Sequence, residues 1–290
     1  MSTVRTRRHQ QDRTVAAPPH LAARDPQLRR IAALATRART GTGGVLLVTG
    51  AAGTGRSALL AEAARREAAH GTTVLWARCS VDEATTPYAA ARQLFEAAPG
   101  QGTPPPGAGR TDTDTDTDTD LWALLRLHAA HSPVLLAVDD IHLADRASRD
   151  WLLQLARRID RLPVLLLATE RRQSALGSPP ARFGRGLPPG LADTTRLDPL
   201  DTTAATRLAE LHLGLGAPPA LADDCVRATG GNPLLLTALL ADLRDHPDEC
   251  CPAAFTALPA PPALVALPAL PAPRALTTPP AQPRSCARMP

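Results

Sequence analysis

The chain predicts an α/β protein built on a parallel sheet with helices on both faces. Apolar runs of strand length at 45–49, 73–77, 134–138 and 164–168 alternate with stretches of helical spacing, the arrangement that buries a parallel sheet. A glycine-rich turn, GAAGTGRS at 50–57, joins the first run to a helix. Polar residues of chemical interest stand just past the ends of these runs, where such sheets gather ligands.

Each element follows in order. Residues 1–24 are polar and Arg-dotted with a Pro18-Pro19 break, and read as a disordered arm. Asp25-Pro26 reads as an N-cap and first-turn proline, with Leu28, Ile31, Leu34 and Ala35 at helical spacing and the glycines at 41, 43 and 44 ending the helix. The strand 45–49 leads through the glycine-rich turn into a helix over 57–70, stopped by Gly71. A strand at 73–77 and a helix at 88–98 follow. Residues 99–120 form a low-complexity insert ending in TDTDTDTDTD. As a strand it would line five Asp side chains on one face, so a solvated loop is expected, with its last Thr or Asp capping a helix over 121–130.

The strand 134–138 ends in Asp139 and Asp140, and Asp145 caps a helix over 146–159. The strand 164–168 ends in Thr169, Glu170 and Arg171. A Gly/Pro-rich loop spans 174–192, a short strand lies near 195–197, and helices are expected at 202–213, at 219–229 and from Pro233. A parallel-sheet core is thus expected over 25–198 and a small helical domain over 199–246. Residues 247–290 contain 12 prolines, which remove backbone donors and interrupt helix and sheet; a disordered Pro/Ala-rich tail is expected.

Bulk composition sets limits. The 290 residues are 44% hydrophobic but only 2% aromatic, so the core must be Leu, Val, Ile and Ala. A net charge of +4 is too mild to argue for nucleic acid. The Arg-dotted arm (Arg5, Arg7, Arg8, Arg13) is the one candidate contact, and direct DNA binding is not expected. The five cysteines match neither a zinc spacing nor a disulfide framework. No apolar run reaches the ~20 residues a bilayer requires. A soluble, cytoplasmic protein is expected.

The turn has a mechanical purpose. Gly50, Gly53 and Gly55 can adopt angles that other residues avoid, so successive amides turn inward as an anion nest at a helix N-terminus. Gly50, Ala51, Ala52, Gly53, Thr54, Gly55, Arg56, Ser57 and Ala58 are therefore the candidate phosphate-binding residues. Ser57 offers a hydroxyl to magnesium, and Asp139 is placed to hold that ion directly or through water. Asp140 is the candidate to polarise an attacking water and Arg171 to sense the terminal phosphate. The pattern G-x-x-x-x-G-K-[ST] wants lysine where Arg56 stands. All 32 basic residues are arginine, so a coding bias against lysine and a functional change are both open. Arginine keeps the charge on a larger planar head, and hydrolysis should suffer more than binding.

The segments GAAGTGRSALL, ARCS…PYAAARQLF, PVLLAVDDIHLAD, PVLLLATERR and ATGGNPLLL, in that order, resemble the ATPase domain of large LuxR-type transcriptional regulators, bacterial members of the AAA-like STAND ATPases. The resemblance covers about 25–243. It implies a P-loop NTPase fold, a three-layer sandwich with strand order 5-1-4-3-2 and a helical lid, ATP or ADP with magnesium as ligand, and a nucleotide-dependent switch with protein partners or self-association. Gly231-Asn232-Pro233 matches an element whose proline lies near the adenine, although plain helix initiation explains Pro233 equally well. Three features depart from the family: Arg56, the TD insert, and a proline-rich tail in place of sensor repeats and a helix-turn-helix. The expected function is an ATP-binding, weakly hydrolysing switch domain; the alternative is a pseudo-ATPase acting through protein contacts.

Overall fold

Strand boundaries follow the apolar runs closely. In the computed structural model, which describes residues 21, 23–96, 114–172, 183–187, 190, 192–213 and 219–245, the strands β1 (Gly44–Gly50), β2 (Thr73–Arg78), β3 (Val134–Asp139), β4 (Val164–Arg171) and β5 (Ala192–Leu197) are all parallel and pair in the order β2-β3-β4-β1-β5. This is the order 5-1-4-3-2 read from the opposite edge, in a P-loop NTPase fold. Alternate residues serve opposite faces: Val45 and Leu47 of β1 join one core, Leu46 and Val48 the other.

The helices α1 (Asp25–Arg39) and α2 (Arg56–Ala69) cover one face through Leu28, Ile31, Leu59 and Leu60. On the other lie α3 (Ala89–Glu96), α4 (Asp114–His131), α5 (Arg146–Ala156) and α6 (Phe183–Gly186), which bury Leu94, Leu125, Trp151 and Phe183. A third cluster, centred on Leu208, Leu236 and Leu240, joins α7 (Thr202–Leu213), α8 (Pro219–Thr229) and α9 (Pro233–Asp245). No helix among the described residues is long and apolar enough to cross a membrane.

Several expectations are corrected. Asp25 is the first residue of α1 rather than its cap; Arg24 holds the cap position without a side-chain cap bond. The end of the arm is packed: Leu21 is 1% exposed and Arg24 is buried. The TD segment is helical from Asp114, so Thr119 and Asp120 lie inside α4 instead of capping it. Thr117, Leu121 and Leu125 repeat every four residues and are all buried, with Arg92 Nη2 donating to Thr117 Oγ1 at 3.4 Å. Acidic residues early in a helix also suit its dipole. Helix α5 stops at Ala156, and a 3-10 turn at Ile159–Arg161 precedes an extended Leu162, as the following Pro163 favours. The 174–192 segment contains α6, pinned by Phe183 N–H donating to the buried Glu170 Oε1 at 2.8 Å. Strand β5 begins three residues before the expected start. The expectations for residues 1–20, 99–113, 174–182 and 247–290 lie outside the described residues.

Candidate functional site

Three strand ends and one helix start meet at the carboxyl edge of the sheet. Gly50 ends β1, opposite Arg171 of β4, and Asp139 ends β3. Because β4 lies between β1 and β3, any contact from the loop to Asp139 must pass over the end of β4. Thr169, fully buried there, makes the crossing possible. Its Oγ1 donates to Asp139 Oδ1 at 2.7 Å and accepts from Asp140 N–H at 2.8 Å. Ser57 Oγ donates to the same Asp139 Oδ1 at 3.0 Å.

The loop itself depends on two glycines in the left-handed region. Gly53 has φ +76° and Gly55 φ +89°, conformations that cost an L side chain roughly 1–2 kcal/mol. Gly55 is the N-cap of α2 and supplies no side-chain cap hydrogen bond to the first amides of the helix. Thr54 Oγ1 donates back to Ala51 O at 2.9 Å. The start of α9 rests on this loop: Asn232 Nδ2 donates to Ala52 O at 2.9 Å, and Leu234 N–H to Gly53 O at 3.2 Å. Arg24, from the supposedly disordered arm, clamps the loop from another side, with Nη2 donating to Thr54 O at 3.2 Å and Asp198 O at 2.8 Å.

A cavity of about 360 Å³ lies between Gly53 and the Gly55-to-Ala58 stretch on one side and Pro233, Leu234 and Thr237 of α9 on the other. Another, of about 420 Å³, opens beside Tyr88 and Trp151. Of its two carboxylates, Asp145 accepts from the backbone N–H groups of Ser148, Tyr88 and Ala90, and the exposed Asp150 lies 3.6 Å from Arg146 Nε. The smaller cavity is the one that the glycine-rich loop and the start of α2 border.

Arg56 lies at the foot of this cavity and reaches toward the acids. Its Nη2 is 3.2 Å from Asp140 Oδ1, while Nη1 is buried without a hydrogen-bond partner. Burial pulls the guanidinium below its ordinary value, opposed by Asp140 and Asp139. Asp140 has φ +50°, left-handed for a non-glycine residue. His142 stands beside it, with Nδ1 3.8 Å from Asp140 Oδ1 and accepting from Arg171 N–H at 3.4 Å. Burial, with the Arg56 and Arg171 charges adding, lowers the His142 value, and Asp140 opposes. The Arg171 side chain is exposed at the margin.

The structure therefore brings together residues 50–58, Asp139, Asp140 and Pro233, and leaves Arg171 at the edge. Pro233 is buried, starts α9 and borders the cavity. Sequence reasoning missed roles for Thr169, Arg24 and Asn232. Thr169 stood at a strand end, but its part as a bridge needed the strand order. The donor set suits a phosphate chain with a hard cation: uncapped helix amides, an unpartnered guanidinium nitrogen, a hydroxyl and a carboxylate oxygen.

A profile of the AAA ATPase domain family matches residues 20–167. Uncharacterized protein R02095 of Rhizobium meliloti (strain 1021) is 31% identical over 259 residues, covering 73% of this chain; the chain spans only 24% of that relative's length. Among solved structures, the Orc1 protein of Aeropyrum pernix in complex with DNA matches with a TM-score of 0.54 at 20% identity, over 81% of this chain and 63% of that one. Drosophila ORC bound to DNA matches with a TM-score of 0.53 at 13% identity, over 86% and 66% respectively. At such identities the likeness to these two is one of fold.

Proposed function

The chain belongs to the AAA ATPase domain family, and on that premise we propose that it binds ATP or ADP with magnesium between the 50–58 loop and α9, as a nucleotide-dependent switch with weakened hydrolysis. The observation that carries this reading is the Ser57 Oγ to Asp139 Oδ1 bond of 3.0 Å beside the uncapped start of α2. A hydroxyl and a carboxylate held this way are the oxygen ligands that magnesium would take, and the ion would neutralise phosphate charge there. The loop amides would hold the phosphates, and Pro233 would flank the base. Asp140 is the candidate to polarise a water and Arg171 to meet the terminal phosphate. Because Asn232, just before α9, bonds to Ala52 O and Leu234 of α9 bonds to Gly53 O, a ligand that moves the loop would also move the helices behind it.

The five ordered motifs support a place in the LuxR-type regulator lineage, working in the cytoplasm through protein partners or self-association. The Orc1 and ORC structures contain DNA; the +4 charge here is too mild to argue for nucleic acid. One observation favours the pseudo-ATPase reading over slow turnover: Asp140, the candidate for activating water, is engaged by Arg56. Isothermal titration of the full chain with ATP and ADP, followed by phosphate release, tests both. Binding in the titration supports the nucleotide reading, and no binding refutes it. Arg56→Lys should raise turnover about tenfold or more, given what transition-state placement of charge contributes. Equal turnover of the two proteins would refute impairment by Arg56.

A further inference from the structure

On the nucleotide reading above, we propose that Asp140 and the outer phosphates of ATP compete for Arg56, so that the Arg56–Asp140 ion pair gates the site from within. The pair is incomplete. A guanidinium facing a carboxylate favours two parallel hydrogen bonds, yet here a single Nη2–Oδ1 approach of 3.2 Å is made. Asp140 Oδ1 accepts no hydrogen bond of good geometry, and Arg56 Nη1 donates none, although both atoms are buried. Leaving such groups unsatisfied is costly, so the guanidinium gains by finding a better anion.

The surroundings hold the pair in this arrangement. Asp139 is committed to Ser57 and Thr169, which leaves Asp140 as the acid open to Arg56. Asp140 is held at φ +50° with its N–H donated to Thr169 Oγ1. The other charged and titratable groups nearby do not replace Arg56. His142 lies 3.8 Å from Asp140, beyond hydrogen-bond distance, and its Nδ1 already accepts from Arg171 N–H. Arg171 is exposed and its charge repels that of Arg56, and Glu170 accepts from Phe183 N–H. Arg56 also borders the cavity, so one side chain faces both anions. A lysine, a compact point charge without the planar fork, would not span them in the same way.

A double-mutant cycle on the full chain tests the gate, using Arg56→Gln, Asp140→Asn and the double variant, with ATP affinity read by calorimetry. If Asp140 sequesters Arg56, Asp140→Asn should tighten ATP binding about fivefold or more with Arg56 present, in the range of ordinary coupling between sites. In the Arg56→Gln background the same change should have less than about a twofold effect. An equal effect in both backgrounds would mean that Asp140 merely repels phosphate, and would overturn the gate while leaving the nucleotide reading intact. If no protein of the cycle binds ATP, the nucleotide reading falls and the gate with it. Urea unfolding of the same four proteins without nucleotide supplies a second readout: coupling between the two positions supports the pair, and additivity overturns it. Should Asp140→Asn fail to fold, Asp140→Gly removes the charge at a backbone angle that glycine accepts.

Discussion

Replacing Thr169 by valine tests the central bridge. Valine keeps the shape and β-branching but removes the hydroxyl, deleting the 2.7 Å bond to Asp139 Oδ1 and leaving Asp140 N–H without its 2.8 Å acceptor. A hydrogen bond to a charged group contributes about 1.5–3 kcal/mol and a neutral one about 0.5–1.5, so the loss should total about 2–4 kcal/mol. Water cannot easily compensate, because Thr169 and Asp139 are 0% and 2% exposed. Thr169→Ser keeps the hydroxyl and loses one methyl group, and should cost only about 1 kcal/mol. Urea unfolding followed by tryptophan fluorescence is the assay. Trp76 lies in β2 and packs on one sheet-flanking core, while Trp122 and Trp151 belong with the other, so the signal reports on the sheet that holds the site and not on α7–α9. The valine variant's midpoint should fall by about 1 M or more at unchanged slope. A loss within about 0.5 kcal/mol of zero, or a serine variant as unstable as the valine one, would refute the bridge.

Further outcomes follow from other parts of the fold. An alanine at Gly55 meets no atom within 4 Å and should cost only its backbone strain, whereas one at Gly53 would place Cβ 2.5 Å from Asn232 Oδ1. Hydrogen exchange over 233–245 should therefore rise in Gly53→Ala and stay unchanged in Gly55→Ala. Glu62 is held down to about 2, from an ordinary 4.5, chiefly by its hydrogen bond from Arg65 and also by Arg66. Its stabilising effect is complete above pH 4.5 and is lost as pH falls toward 2, so Glu62→Gln should flatten the acid limb of a stability-versus-pH curve. Burial first, and Asp145 next, push the Cys79 thiol up to about 12. Peptide mapping after alkylation at pH 8 should find Cys79 unmodified in the native protein and labelled in urea.

How far the sequence reaches is visible element by element. The runs VLLVT, VLLAV and VLLLA are apolar enough to be buried on both faces wherever they lie, so β1, β3 and β4 were legible from local pattern alone. The glycines of the 50–57 turn and the Asp145 cap were legible for the same reason: each answers a backbone need within a few residues. The TD segment misled because alternation was weighed only as strand against loop. Its helix is decided by Thr117 meeting the same buried face as Leu121.

Other features rest on contacts between residues far apart in the chain. Arg24 sits among residues that look like a loose arm, and only folding brings Thr54 O and Asp198 O to it. Thr169 is one polar residue at one strand end until β4 settles between β1 and β3. The choice of Arg56 between Asp140 and a phosphate is likewise set by distances across the sheet edge. Local sequence determined the strands, the loop and the kinds of atom they present, because backbone preference and burial act over a few residues. Tertiary structure decided which of those atoms meet, because a hydrogen bond or an ion pair depends on separations that strand order and packing impose.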